Sequence, residues 1–163
     1  MMNGMKIIHF PLYIAIVMSG SCHDGQAPLS TSERNILKDS IHIVLENYYS
    51  DIRKHGLMAE FSYLDTSSDF FWVPPGFTQS ISYDSVSALL KKNAPLFSSV
   101  VNTWAKLDIQ PLRRDFVVYT GRLHSFMVDT TGKETSFNLV ETGLLVRRKD
   151  GWKLLCGQTG TGD

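Results

Sequence analysis

The sequence predicts an α+β fold, with a block of helices followed by a meandering antiparallel sheet that the helices cover on one face. Three observations predict it. Apolar residues recur at helical spacing from Ile36 to Ile52, and the pattern changes to alternation near Val101. After that point the turn signals join long neighbouring strands, as Asp129-Thr130-Thr131-Gly132-Lys133 and Lys149-Asp150-Gly151 do.

The first helix is the clearest element. Ser30 and Glu33 have capping-box spacing, which satisfies two exposed backbone N–H groups. Ile36, Leu37, Ile41, Val44, Leu45, Tyr48 and Ile52 form its apolar stripe, Tyr49 lies at the stripe's edge, and Gly56 offers a left-handed cap. A short helix follows over Leu57 to Leu64, with Leu57, Met58, Phe61 and Leu64 inward. Asp69-Phe70-Phe71-Trp72-Val73 reads as an aromatic strand stopped by Pro74-Pro75-Gly76. A third helix starts near Ser82, carries Val86, Leu89 and Leu90, and ends at Asn93-Ala94-Pro95.

Four strands complete the chain. In the first, Val101, Thr103, Ala105, Leu107 and Ile109 alternate with Asn102, Trp104, Lys106 and Asp108. The others span Phe116 to Val128, Thr135 to Arg148 and Trp152 to about Thr159, and the glycine-rich end after Gly157 reads as a frayed terminus.

Ahead of this domain stands an export signal. One lysine, an apolar run from Ile7 to Met18 and the small residues Ser19-Gly20-Ser21 precede Cys22. The run is shorter than the roughly 20 residues a membrane span needs. These observations divide the chain into a signal peptide over residues 1–22, a polar linker over 23–30 and a single domain over 31–163. The end of the signal resembles a bacterial lipoprotein box, which implies lipid on Cys22 and a membrane-anchored place in the cell envelope. A soluble periplasmic or secreted protein is the alternative. With Cys22 lipidated, Cys156 has no partner and reads as a small buried hydrophobe.

Charge and motifs exclude several functions. The 16 basic residues balance the 16 acidic ones, and the clusters Arg113-Arg114 and Arg147-Arg148-Lys149 fall at hairpin ends, so no nucleic-acid partner is expected. No metal-ligand spacing, phosphate loop or dinucleotide fingerprint is present, and no metal or cofactor is expected.

Thr142-Gly143-Leu144-Leu145-Val146-Arg147-Arg148-Lys149-Asp150-Gly151-Trp152-Lys153-Leu154-Leu155 resembles the final hairpin of the nuclear transport factor 2-like superfamily, in particular its SnoaL-like and ketosteroid-isomerase-like domains. The two helices followed by Asp69-Phe70-Phe71-Trp72-Val73-Pro74-Pro75-Gly76 are similar to its first half. The resemblance implies a cone: a bent antiparallel sheet wrapping the long N-terminal helix, with two shorter helices and an apolar pocket at the open end. It assigns no function by itself, because the superfamily holds isomerases, dehydratases, hydrolases and non-catalytic binding domains.

In the isomerases of that family a carboxylate base stands just before the Pro-x-Gly, and the matching residue here is Val73, which takes no proton. The leading expectation is therefore a domain that binds a small apolar or aromatic ligand without catalysis, between Tyr48, Trp72 and Tyr119. Asp69, Arg122, His124 and Glu141 are the other ionisable candidates for the interior. A small isomerase, dehydratase or hydrolase using a His124–Glu141 acid/base pair is one alternative. A homodimer built on an outer sheet face carrying Trp104 is another.

Overall fold

A computed structural model describes residues 27–162; the signal segment, Cys22 and the first half of the linker lie outside the described residues. Helix α1 spans Thr31–His55. Its start is the expected capping box: the Glu33 N–H donates to Ser30 Oγ at 3.2 Å, and the Ser30 N–H donates to Glu33 Oε2 at 2.8 Å. Gly56 closes the helix with φ near 78°, a conformation that suits glycine. Leu37, Ile41, Leu45, Tyr48, Tyr49 and Ile52 form the buried stripe. Ile36 is 65% exposed, so the stripe begins one residue later than the spacing suggested.

The element after α1 is a 3-10 helix, Leu57–Ser62, whose tighter turn leaves Met58 exposed. Strand β1 is only Phe71–Val73 and pairs in parallel with the last strand, so the sheet is not wholly antiparallel. Helix α2, Tyr83–Asn93, is capped by Ser82, and a second 3-10 turn, Ala94–Leu96, leads into the sheet. Strands β2 (Phe97–Pro111), β3 (Phe116–Asp129), β4 (Glu134–Arg148) and β5 (Gly151–Thr161) then run antiparallel, giving the order β1-β5-β4-β3-β2. The chain end is paired strand rather than frayed, since Thr161 aligns with Leu139.

Of three register shifts in the sheet, one lies at the start of β2 between Phe97 and Ser99, and the other two set which side chains face the helices further along. In β2 the register passes from Trp104↔Leu123 to Lys106↔Arg122, leaving Ala105 unpaired. In β5, Leu154 pairs with Leu145 and Cys156 with Leu144, leaving Leu155 over. An extra residue reverses the alternation beyond it. The inner face therefore takes Val100, Asn102 and Trp104 from one part of β2, then Leu107, Ile109 and Pro111. The single phase expected for β2 is wrong on one side of Ala105. Trp104 lies inside against Tyr49 and Tyr119, at 5.2 and 6.1 Å between ring centroids, and not on the outer face. That outer face mixes Val118 and Leu144 with Thr120, Arg122, His124 and Asn138.

Three inward glycines lie in neighbouring strands, each under an aromatic ring. A Cβ on Gly121 would stand 2.7 Å from the Trp104 ring, one on Gly143 2.7 Å from the Tyr119 ring, and one on Gly157 2.6 Å from the Trp72 ring. Their missing side chains let the rings approach the backbone closely, a use of strand glycine that such approach demands.

The basic clusters stay at hairpin ends, as expected. Arg114 pairs with Glu33 at 2.8 Å and Arg113 with Asp115 at 3.2 Å. Arg148 binds Asp65, which is almost fully buried. Burial alone would raise the Asp65 carboxyl, but the Arg148 guanidinium and Ser67 outweigh it and hold it at about 2. Cys156 is half-buried, and burial raises its thiol.

Candidate functional site

The space between the sheet and the helices holds a chamber of about 260 Å³. Its walls are apolar for the most part: Leu57, Leu64, Phe70 and Trp72 from the segment after α1, Val86, Leu89 and Leu90 from α2, and Val100, Leu123, Met127, Leu139 and Leu154 from the sheet. Polar groups enter it at few places, namely Tyr48, Tyr49, Glu60, Asn102, Ser125, Glu141 and Thr159.

Glu141 is the most constrained of these. It is 5% exposed on the inner face of β4 and accepts hydrogen bonds from three hydroxyls. Tyr119 donates to Oε1 at 2.7 Å, Thr159 to Oε2 at 3.0 Å, and Tyr49 bridges both oxygens at 3.1 Å. Trp72 Nε1 donates in turn to Thr159 Oγ1 at 3.1 Å. One carboxylate thus ties together α1, β1, β3, β4 and β5. Burial raises its pKa above the ordinary carboxylate range, against the three hydroxyls that favour the charged form. Burial and the neighbouring carboxylate raise Tyr49 and Tyr119 well above ordinary phenols, so both remain donors.

Glu60 is different, because its carboxyl is not saturated. It lies on the 3-10 helix facing the same chamber. Burial pushes it up to about 7; the Tyr48 hydroxyl opposes that rise and Glu141 adds to it. A carboxyl of that pKa changes charge near neutral pH, which is a condition for proton transfer and for charge-dependent binding. Since the folded value lies above the ordinary 4.5, Glu60 favours the fold fully below pH 4.5 and that contribution is lost as pH rises through about 7. Glu60→Gln is expected to be more stable than the parent at pH 8, by up to about 3 kcal/mol, and to flatten the pH dependence. Urea unfolding at pH 5 and pH 8 checks this, and an unchanged slope between the two would refute it.

The sequence-derived candidates separate clearly. Tyr48 and Trp72 line the chamber. Tyr119 faces inward but is fully buried beneath it as a donor to Glu141, so it supports the wall without forming it. The His124–Glu141 pair does not form. His124 aligns with Asn138 and Glu141 with Gly121, and the side chains leave opposite faces of the sheet. His124 is exposed, with Nδ1 3.2 Å from Asn138 Oδ1. Arg122 shares that outer face, and Asp69 is exposed before β1. Asn102 and Glu60 were not legible as site residues. The bulge at Ala105 hid the first. The second sits three residues after the inward Leu57, and 3-10 geometry stacks positions three apart.

No group of potential metal ligands occurs among the described residues, and no described helix is long and apolar enough to cross a membrane.

Comparison with known proteins places the architecture. No family model matches the chain, and no curated protein matches it. Solved structures do match. A nuclear transport factor 2-like superfamily protein from Salmonella enterica superposes with TM-score 0.67 at 12% identity, over 79% of this chain and 93% of that one. A protein provisionally assigned as a scytalone dehydratase from Novosphingobium aromaticivorans gives 0.70 at 9% identity, over 82% and 89%. A hexachlorocyclohexane dehydrochlorinase from Novosphingobium barchaimii gives 0.63 at 14%, over 82% and 92%. The fold is the nuclear transport factor 2-like cone. Identities this low define the architecture and leave the activity to the residues of the site.

Proposed function

We propose that the cone binds a small, largely apolar molecule, and that the Glu60 carboxyl faces it. The observation that supports this reading is the chamber itself. Its apolar walls surround a few polar groups, as ligand sites require, and two of those groups retain hydrogen-bonding capacity: Glu60, and Asn102, whose buried Oδ1 has no protein partner. A buried acceptor without a partner is costly, and a ligand donor would satisfy Asn102 Oδ1. Native mass spectrometry of the chain purified from its host tests the reading. A co-purified small molecule is expected, and Leu90→Trp, which fills the chamber, should lose it. A wild-type chain without bound mass, in which Leu90→Trp also leaves added apolar probes bound, contradicts the proposal.

A second reading, proton-transfer catalysis, is favoured by one feature: the Glu60 carboxyl held at about 7 in an apolar chamber. The structural neighbours described as a dehydratase and a dehydrochlorinase lend it analogy only. Under this reading a carbon-bound hydrogen of the co-purified molecule exchanges with deuterated solvent in the wild type and not in Glu60→Gln. Equal exchange in both removes Glu60 as the base.

We propose further that residues 1–22 direct export and that Cys22 carries lipid, on the strength of the short apolar run and the small residues before it. Cys22→Ser should move the protein from the membrane fraction to the soluble one. Its retention in the membrane fraction would sink the anchor.

A further inference from the structure

The chamber does not end at its own walls. A vestibule of about 420 Å³ adjoins it and shares Leu57, Leu89, Leu90, Met127 and Leu139 with it, so one apolar surface runs from the chamber to the vestibule. The vestibule adds Phe77, Phe97 and Phe137. Phe77 and Phe137 are 42% and 43% exposed, large apolar side chains open to water at its entrance.

The charges along this passage are of one sign. Glu60 and Glu141 line the chamber, and among the described residues no lysine, arginine or histidine lines either space. Glu141 is already satisfied by three hydroxyls. Glu60 and Asn102 Oδ1 are left as acceptors, and the aromatic rings of Tyr48, Tyr49 and Trp72 stand in the same wall. Acceptors and aromatic faces together favour a cation, and Glu60 and Glu141 repel a ligand carboxylate.

Building on the binding reading above, we infer that the ligand is an elongated apolar amine, its ammonium head against Glu60 and Asn102 and its apolar tail in the passage toward Phe77 and Phe137. The head gives Asn102 Oδ1 the donor it lacks and Glu60 a second donor beside the Tyr48 hydroxyl. The tail covers the exposed phenylalanines at the entrance, which adds apolar burial along the length of the molecule. The groups facing Glu60 are the Tyr48 and Tyr49 hydroxyls and Glu141, while α2 presents Val86, Leu89 and Leu90 to the chamber. Below its pKa, Glu60 must release its proton to solvent when the ammonium binds. Affinity for the amine therefore rises as pH climbs through about 7.

Calorimetric titration of the full chain at pH 8 with octylamine, octanol and octanoic acid tests the head group at constant tail. Octylamine is expected to bind about tenfold tighter than octanol or better, with octanoate weakest. Glu60→Gln should reduce octylamine to the octanol level, while a cooperative thermal unfolding transition of the variant reports an intact fold. Equal affinity for amine and alcohol, tightest binding of octanoate, or an amine preference that survives Glu60→Gln each overturns the amine inference and leaves the binding reading standing. Binding of none of the three overturns both.

Discussion

Replacing Glu141 with alanine is expected to cost on the order of 4 kcal/mol of stability, because it strands two buried hydroxyls and a half-buried one at once. Tyr49, Tyr119 and Thr159 all donate to this carboxylate, and Trp72 reaches it through Thr159. Each stranded donor costs roughly 1–3 kcal/mol, and the truncation leaves a void beside them. The effects are not additive, since the four groups form one network and relax together. Glu141→Gln is the informative partner. Its amide oxygen can still accept from Tyr119, but its NH2 group turns a second donor toward Thr159, so a loss of about 1–2 kcal/mol is expected. Urea unfolding separates the two variants. An alanine variant as stable as the parent would show that the network holds nothing together.

Gly143→Val is the second large effect, with an expected loss of about 3 kcal/mol or more. Even a bare Cβ would sit 2.7 Å from the Tyr119 ring and 2.9 Å from its hydroxyl oxygen. Tyr119 cannot step aside easily, because it is fully buried and Trp104 stands edge-on to it, with centroids 6.1 Å apart. Displacing the ring also pulls its hydroxyl off Glu141, so overpacking and network loss act together. Gly160→Ala is the control in the adjacent strand: nothing lies within 4 Å of its added Cβ, and its stability should stay within about 0.5 kcal/mol of the parent. Thermal unfolding of both variants checks the pair. Comparable losses at the two positions would point to a general β-sheet effect and against ring-on-glycine packing.

Much of the scaffold is legible in the chain. The capping box at Ser30 and Glu33, the stripe from Leu37 to Ile52 and the Lys149-Asp150-Gly151 hairpin are local features, set by residues within a few positions of one another, and the structure holds all three. The hairpin differs only in detail. Gly151, paired with Arg148, carries the positive φ of 120° just after the turn, as in a turn followed by a glycine bulge.

The site was harder to read, because it depends on pairing across strands. Alternation along β4 puts Glu141 on the side of Leu139 and Leu145, which is correct. Alternation along β3 offers two incompatible choices. Tyr119 and His124 stand five positions apart, an odd offset, so one faces in and the other out. Burial decides for Tyr119. In β2 and β5 an extra residue, Ala105 or Leu155, reverses the phase partway, and no composition signal marks either one. That reversal brings Asn102 and Thr159 into the chamber, and both escaped a reading based on uniform period. Glu60 escaped for another reason: a polar residue in a short amphipathic turn usually points to water, and only the overlying α2 and sheet make its position an interior one.

The claim at the centre of this account is that the chamber under α2 is a ligand site. Trp72 lines it and reports on it, so the most direct measurement is a fluorescence titration of the full chain with octanol, in the wild type and in Leu139→Trp corrected for its added indole. Saturable quenching or enhancement in the wild type, lost or weakened about tenfold when Leu139→Trp fills the chamber, is the predicted result. A wild-type signal that never saturates, or one that Leu139→Trp leaves unchanged, would contradict it.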